Sequence, residues 1–277
     1  MTTIDRYQCR LPKHLLDKAV RELNEPEDNA ERLKAIDSLR EAVKKSSPEM
    51  KLLRDDDLFF LAFLRARKFD QQRALIILQN FHAQRQAWPE VMDKVISPAV
   101  LTDFLSVGPI VPLEGKAKDG STIVVGRPGI GENFSLTNFI AAAFLTIQTL
   151  AMEDEDTQIS GITIIEDFAY ITMDTAKQMN PSIASKFMSI VQDAMPVRVK
   201  SLNVTNEPKF FDILWAIISP FMRQKLKNRF RVHGTDFSNL FSEVADRKVL
   251  PHMFAGSGPD ISVEQWKIKL LGESTVL

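Results

Sequence analysis

A single cysteine, Cys9, stands in the 277 residues, so no disulfide can form within the chain. That fits a reducing cytosol. Neither sign of charge is in excess: 35 Lys and Arg against 36 Asp and Glu leave a formal net charge of −1. A dedicated nucleic-acid binder carries a basic imbalance to meet phosphates, so none is expected, and any basic patch must be local. No apolar run approaches the length of a membrane span; even "ILWAII" stops at Ser219 and Pro220. The opening "MTTIDRYQCRLPK" lacks the apolar region of a signal peptide. A cytoplasmic protein, monomeric in solution, is the expectation.

The motifs of catalysis are also missing. "GRPGIGEN" at 126–133 spaces its glycines wrongly for a nucleotide phosphate loop, and Gly126, Gly129 and Gly131 read as turn residues. His14, His82, His233 and His252 stand far apart without cysteine ligands nearby, which argues against a metal site. No G-x-S-x-G elbow occurs, and Cys9 falls in a stretch read as a loose N-terminal arm with no base beside it. Glu166 and Asp167 end a strand, where successive residues point to opposite faces, so they read as a turn cap or ion-pair partner rather than a catalytic pair. "EDED" at 153–156 reads as a solvated helix end. No catalytic residue, metal or cofactor is predicted.

What is present divides in two. Helical patterns cover 12–23, 27–45, 55–67 and 70–87, with Asp55, Asp56 and Asp57 supplying a cap to the third and Asp70 to the fourth. After "WPE" and a proline-glycine stretch from Ser97 to Pro112, β-branched runs at 121–127, 161–168, 201–206 and 230–234 alternate with helical stretches. That alternation is the signature of βαβ units. The expected architecture is α/β: an all-helical module over 1–95, then a domain over 96–277 built on a mainly parallel sheet.

One segment sets a problem. On a helix, Phe210, Phe211, Ile213, Leu214, Trp215, Ala216, Ile217, Ile218, Phe221 and Met222 cover about two-thirds of the circumference, too much for a helix with one buried stripe. Leaving four such side chains in water would forfeit about 1.5–3 kcal/mol each, so something covers a second side. A second helix would serve. Eight cations follow or flank it between 198 and 231 against Glu207 and Asp212, a local charge of +6. Lys225 and Arg229 share a helical face at i, i+4, and Arg198 and Lys200 align at i, i+2 in an extended chain. A solvated basic surface would account for these residues taken alone. Beside the apolar surplus they resemble an interfacial element, apolar groups entering a bilayer while cations meet anionic lipid. Pro220 supplies a break between the two parts.

"DDDLFFLAFLRARKFDQQRAL" (55–75), the stretch from "GITIIEDF" to "FRVHG" (161–234) and "VLPHMFAGSG" (249–258) together resemble the CRAL-TRIO lipid-transfer family. The resemblance implies a cavity between a sheet floor and a mobile helical gate, about Pro208 to Met222, holding one hydrophobic ligand. It implies that Arg67, Arg198, Lys200, Lys225 and Arg229 grip a phosphoinositide headgroup. Candidates for the ligand pocket are Phe144, Ile147 and Gln148, Ile162 and Ile164, Phe187, Ile190 and Val191, and Phe210, Leu214, Ile217, Ile218 and Phe221 of the gate. Core packing would explain each of these equally well. The implied function is a non-enzymatic carrier of a tocopherol-, retinoid- or isoprenoid-like molecule that docks reversibly on phosphoinositide membranes, or else a phosphoinositide-binding adaptor in membrane trafficking.

Overall fold

Asp28, Asp56 and Asp70 each accept a backbone N–H three residues on, from Glu31, Phe59 and Arg73, and each opens a helix. In the computed structural model, which describes residues 6–52 and 54–272, these are α2 (Asn29–Ser46), α3 (Asp57–Ala66) and α4 (Gln71–Ala87), preceded by α1 (Lys13–Leu23). Nearly every side of α3 is apolar, so only full enclosure stabilises it. Phe59 through Ala66 are all buried, inside a ring that includes Ile36, Leu39 and Val43 of α2 and Ala74, Ile77 and Leu78 of α4.

The part of the N-terminal arm that is described, from Arg6 on, is tied down rather than loose. Tyr7 donates its N–H to Asp57 at 2.9 Å and its hydroxyl to Glu155 at 2.6 Å, and Arg6 pairs with Asp57 at 2.8 Å. This also corrects the reading of "EDED". Asp154 caps α8 (Glu155–Ser160), and Glu155 accepts from Arg65 at 2.8 Å, joining α8 to α3. Arg65 further grips Glu25, which also binds Arg32 at 2.7 Å, and all three side chains are sealed from solvent. Burial alone would lower the pKa of Arg65, but its carboxylate partners more than reverse that and hold it above the usual value.

Next come α5 (Pro89–Ile96), α6 (Thr102–Ser106), β1 (Ile110–Lys116), β2 (Thr122–Gly126), α7 (Leu136–Glu153), then α8, β3 (Ile162–Asp167), α9 (Met173–Ala176), α10 (Pro181–Asp193) and β4 (Val199–Thr205). The chain continues through α11 (Phe211–Ile218), α12 (Gln224–Lys227), β5 (Phe230–Val232), α13 (Ser238–Glu243) and α14 (Val263–Gly272). The five strands lie in chain order, β1 antiparallel to β2 and the rest parallel. β1 occupies part of the stretch read as a break. As an edge strand it tolerates Pro112, whose missing N–H faces no partner strand.

Alternation along β3 divides the core. Ile162 and Ile164 join α7 and α10, whereas Ile165 joins Ile123, Val125, Leu240 and Phe254 on the other face. α7 corrects one expectation: its 18 residues are apolar enough, by length and composition, to cross a membrane. Most of it, 78% of that window, is buried here, so it serves as the central helix of the sheet's core.

Candidate functional site

Arg67, Arg198, Lys200, Lys225 and Arg229 all line one cleft of about 650 Å³. Arg67 is the C-cap residue of α3, Arg198 and Lys200 stand at the start of β4, Lys225 lies on α12, and Arg229 precedes β5. Three of the guanidinium groups donate to backbone carbonyls: Arg67 to Gln192 at 3.2 Å, Arg198 to Ile159, and Arg229 to Val199. Lys200 is 4.0 Å from Asp119, but the other four have no carboxylate within ion-pair distance among the described residues. Burial lowers the pKa of Arg67, Arg198, Lys200 and Lys225; neighbouring cations push all four further down, while Asp193 partly offsets this at Arg67 and Glu22 and Asp119 do so at Arg198 and Lys200. Cations crowded in this way repel one another until an anion arrives. Lys68, Arg73 and Arg21 line the same cleft and were missed, although "RARKFDQQR" places two of them beside Arg67.

The apolar segment is less enclosed than its composition demands. α11 buries only Leu214, while Ile213 is 56% exposed. Its outer flank forms an open groove of about 530 Å³ lined by Pro181, Asp212, Ile213, Ala216, Ile217, Pro220 and Phe221. Its inner flank rests on α10 and the sheet edge, where Phe187, Val191, Trp215, Ile218 and Phe221 surround Met188, Met222 and Leu226. The Trp215 and Phe230 rings approach to 4.4 Å. Phe210 is half-buried at the helix entrance. The helix stops at Ile218, and a 3-10 turn over Ser219–Phe221 carries the chain past Pro220 toward the cations.

The remaining pocket candidates separate into groups. Phe144, Gln148 and Ile190 line a partly open pocket of about 330 Å³ bounded by Phe81, His82 and Met50 from the N-terminal segment and by Met92 and Val95 of α5, with the exposed Glu49, Lys51, Arg85 and Gln86 at its mouth. No residue of α11 lines it. Gln148 is buried, yet its amide has no hydrogen-bond partner among the described residues, and neither does the sealed Nε2 of His82. Ile147, Ile162 and Ile164 belong to the main core with Ile190. Phe187 lies against Phe144 at 6.2 Å between ring centres. Val191 lines the basic cleft, and Leu214 is buried.

Glu166 and Asp167 do separate in role. Asp167 caps a turn, accepting from the Ala169 N–H at 3.1 Å and the Asn206 amide at 2.7 Å. Glu166 as a whole is half-buried, but its Oε2 is sealed and unpartnered. It lies against Gly126 across the β2–β3 ladder, where a Cβ would approach that oxygen to 2.3 Å, so Gly126 is a strand residue that makes room rather than a turn residue. Burial, with help from Asp167, pushes the Glu166 carboxyl up to about 7.

The family model "CRAL/TRIO domain" matches residues 108–256, and "CRAL/TRIO, N-terminal domain" matches 35–80. The chain is 38% identical over 267 residues to alpha-tocopherol transfer protein-like of Homo sapiens, covering 96% of this chain and 76% of the relative. It is 29% identical over 276 residues to Clavesin-1 of Rattus norvegicus, covering 98% of this chain and 76% of that one. The crystal structure of Sfh5 superposes with a TM-score of 0.53 at 13% identity, over 90% of this chain and 98% of Sfh5, a likeness of fold.

Proposed function

Because this chain belongs to the CRAL/TRIO family, we propose that it is a lipid carrier that shields one tocopherol-, retinoid- or isoprenoid-like molecule and docks reversibly on phosphoinositide membranes to exchange it. It works as a cytoplasmic monomer and makes or breaks no bond. The similarity to alpha-tocopherol transfer protein-like supports the ligand class. The observation that carries the docking is the succession of a half-bare apolar helix, α11, by a cleft in which cations outnumber the two lining acids, Glu22 and Asp193. Apolar side chains of α11 enter the acyl boundary while the cations meet headgroups, each adding about 1 kcal/mol near an anionic surface. That sum favours docking without permanent insertion, as a carrier requires.

Incubating the purified protein with membrane extract and identifying by mass spectrometry what co-elutes tests this reading. One hydrophobic species at one per chain is expected. A second reading, a membrane-recruited adaptor, is favoured by the relative volumes, since the basic cleft at about 650 Å³ exceeds the apolar pocket beside Phe144 at about 330 Å³. A protein that emerges empty yet binds phosphoinositide vesicles strongly would replace the carrier with the adaptor.

A further inference from the structure

The two ends of the apolar segment are held in different ways. At its root Asn206 takes a left-handed conformation, at φ 53°, which asparagine tolerates better than most residues. Its N–H donates to the Gly234 carbonyl at 2.8 Å and its side-chain amide to Asp167 at 2.7 Å, so the root stays with the sheet. The far end has little backbone structure of its own. α11 stops at Ile218, Pro220 has no N–H to give, and Met222 is extended, at φ −83° and ψ 128°.

Gln192, in the last turn of α10, supplies what the helix does not. Its Nε2 donates to the Phe221 carbonyl at 3.0 Å and its Oε1 accepts from the Arg223 N–H at 2.7 Å, so one carboxamide brackets Met222. Nε2 also donates to the Met188 carbonyl at 3.1 Å, one turn back on α10, which steadies the side chain. Among the described residues no other side chain hydrogen-bonds the backbone between 208 and 223. Held in this way, Met222 is 5% exposed and packs with Met188 and Leu226. Beside it Arg223 pairs with Asp193 at 2.6 Å, but these side chains are 65% and 28% exposed, where an ion pair adds little.

The last turn of α10 is in turn anchored from the N-terminal helices. Arg67 donates to the Gln192 carbonyl at 3.2 Å and Asn80 of α4 to the Asp193 carbonyl at 3.0 Å, two helix-end carbonyls that have no partner further along α10. We infer that Gln192 is the latch of the gate, a positioning residue whose carboxamide keeps the far end of α11 closed on α10 and so sets how fast a hydrophobic ligand is exchanged. This rests on reading the protein as a carrier. Opening requires both bonds of the carboxamide to break and Met222 to leave its cluster, whereas the root keeps its bonds to the sheet while the irregular stretch 207–210 absorbs the turn.

Gln192→Met keeps the length and the apolar stem while removing both bonds. Transfer of retinol from preloaded protein to phosphatidylcholine vesicles, followed by its own fluorescence, should be about tenfold or more faster in this variant, the order expected for two hydrogen bonds of ordinary net strength. Asp193→Asn should quicken transfer about twofold or less, because its ion pair is solvated. Transfer by Gln192→Met at the unaltered rate overturns the latch. Amide hydrogen exchange supplies a readout that needs no ligand. In the unaltered chain the Arg223 amide should exchange at the common rate of Trp215 to Ile218, as one opening unit, and Gln192→Met should raise them all about tenfold. The amides of Ile162 to Ile165 in β3 should stay as slow as before, which reports that the variant is folded. An Arg223 amide that exchanges well ahead of α11 in the unaltered chain overturns the latch whatever the variant does. Failure of both proteins to take up retinol, with the exchange result as expected, counts against the carrier reading and leaves the latch in place.

Discussion

Arg65 and Glu25 are joined by two parallel hydrogen bonds, Nε to Oε2 at 2.8 Å and Nη2 to Oε1 at 2.9 Å, with both side chains at zero exposure. The same guanidinium reaches Glu155 and Gln158 of α8, each at 2.8 Å, so it ties the N-terminal helices to the sheet domain. Removing one member of a buried ion pair leaves the other charged and dry, which costs about 3–5 kcal/mol. Arg65→Ala is expected to lose that much stability in urea denaturation followed by circular dichroism. A loss below about 1 kcal/mol would mean that water or Arg32 compensates Glu25.

On the proposed reading, the cations of the cleft act on docking rather than on folding. Replacing Arg198, Lys200, Lys225 and Arg229 together by Ala removes about 4 kcal/mol of surface attraction, close to a thousandfold in affinity for phosphoinositide vesicles. Uptake of a fluorescent hydrophobic ligand from detergent should persist. Vesicle sedimentation equal to that of the unaltered chain would remove this cleft as the docking site.

Two neighbours on α11 should behave oppositely. Ile213 is 56% exposed, so Ile213→Ser is expected to change stability by no more than about 0.5 kcal/mol. If it enters a bilayer, the same change forgoes about 1.5–3 kcal/mol of burial, and vesicle binding falls about tenfold or more. Leu214, at 6% exposure, faces inward, and Leu214→Ala should cost about 2–4 kcal/mol of stability by denaturation. An Ile213→Ser protein that binds vesicles undiminished would take α11 out of the interface.

Glu166 predicts a pH dependence. Its carboxyl is raised from 4.5 to about 7 in the folded chain, so the unfolded chain releases the proton first as pH rises. Stability from this group is fully present below pH 4.5 and is lost between pH 4.5 and about 7. The loss is on the order of 2–3 kcal/mol. Glu166→Gln keeps the shape without the charge, so its stability should be flatter across that window and higher than that of the unaltered chain above pH 7. Parallel pH profiles of the two proteins in thermal denaturation would contradict the assignment.

Much of the fold is written in short-range signals. Asp56 and Asp70 mark helix starts because a carboxylate three residues ahead of an N–H is a local event, and the β-branched runs of β2 and β3 sit between turn residues. β1 escaped notice because Pro112 and Gly115 look like breakers and only its edge position makes them harmless. Glu155 looked solvated because its partner, Arg65, is 90 residues away. Lys68 and Arg73 were visible as charges, but that they share a cleft with Lys225 follows only from how α3 and α4 pack beside α12. The pocket candidates are the least legible. Phe144 and Gln148 meet Phe81 and His82 across a boundary between distant segments, and no periodicity encodes which apolar neighbour fills a space and which leaves it empty.

The order of the strands bears on how this chain is made. Because β1 to β5 occupy the sheet in the sequence in which they are synthesised, each strand emerging from the ribosome meets a partner that already exists. β1 to β4 and α10 can therefore be assembled before the greasy stretch Phe210–Met222 appears, so it meets a surface already partly built, completed later by Leu226 and Phe230, which shortens the interval in which it could aggregate with other nascent chains.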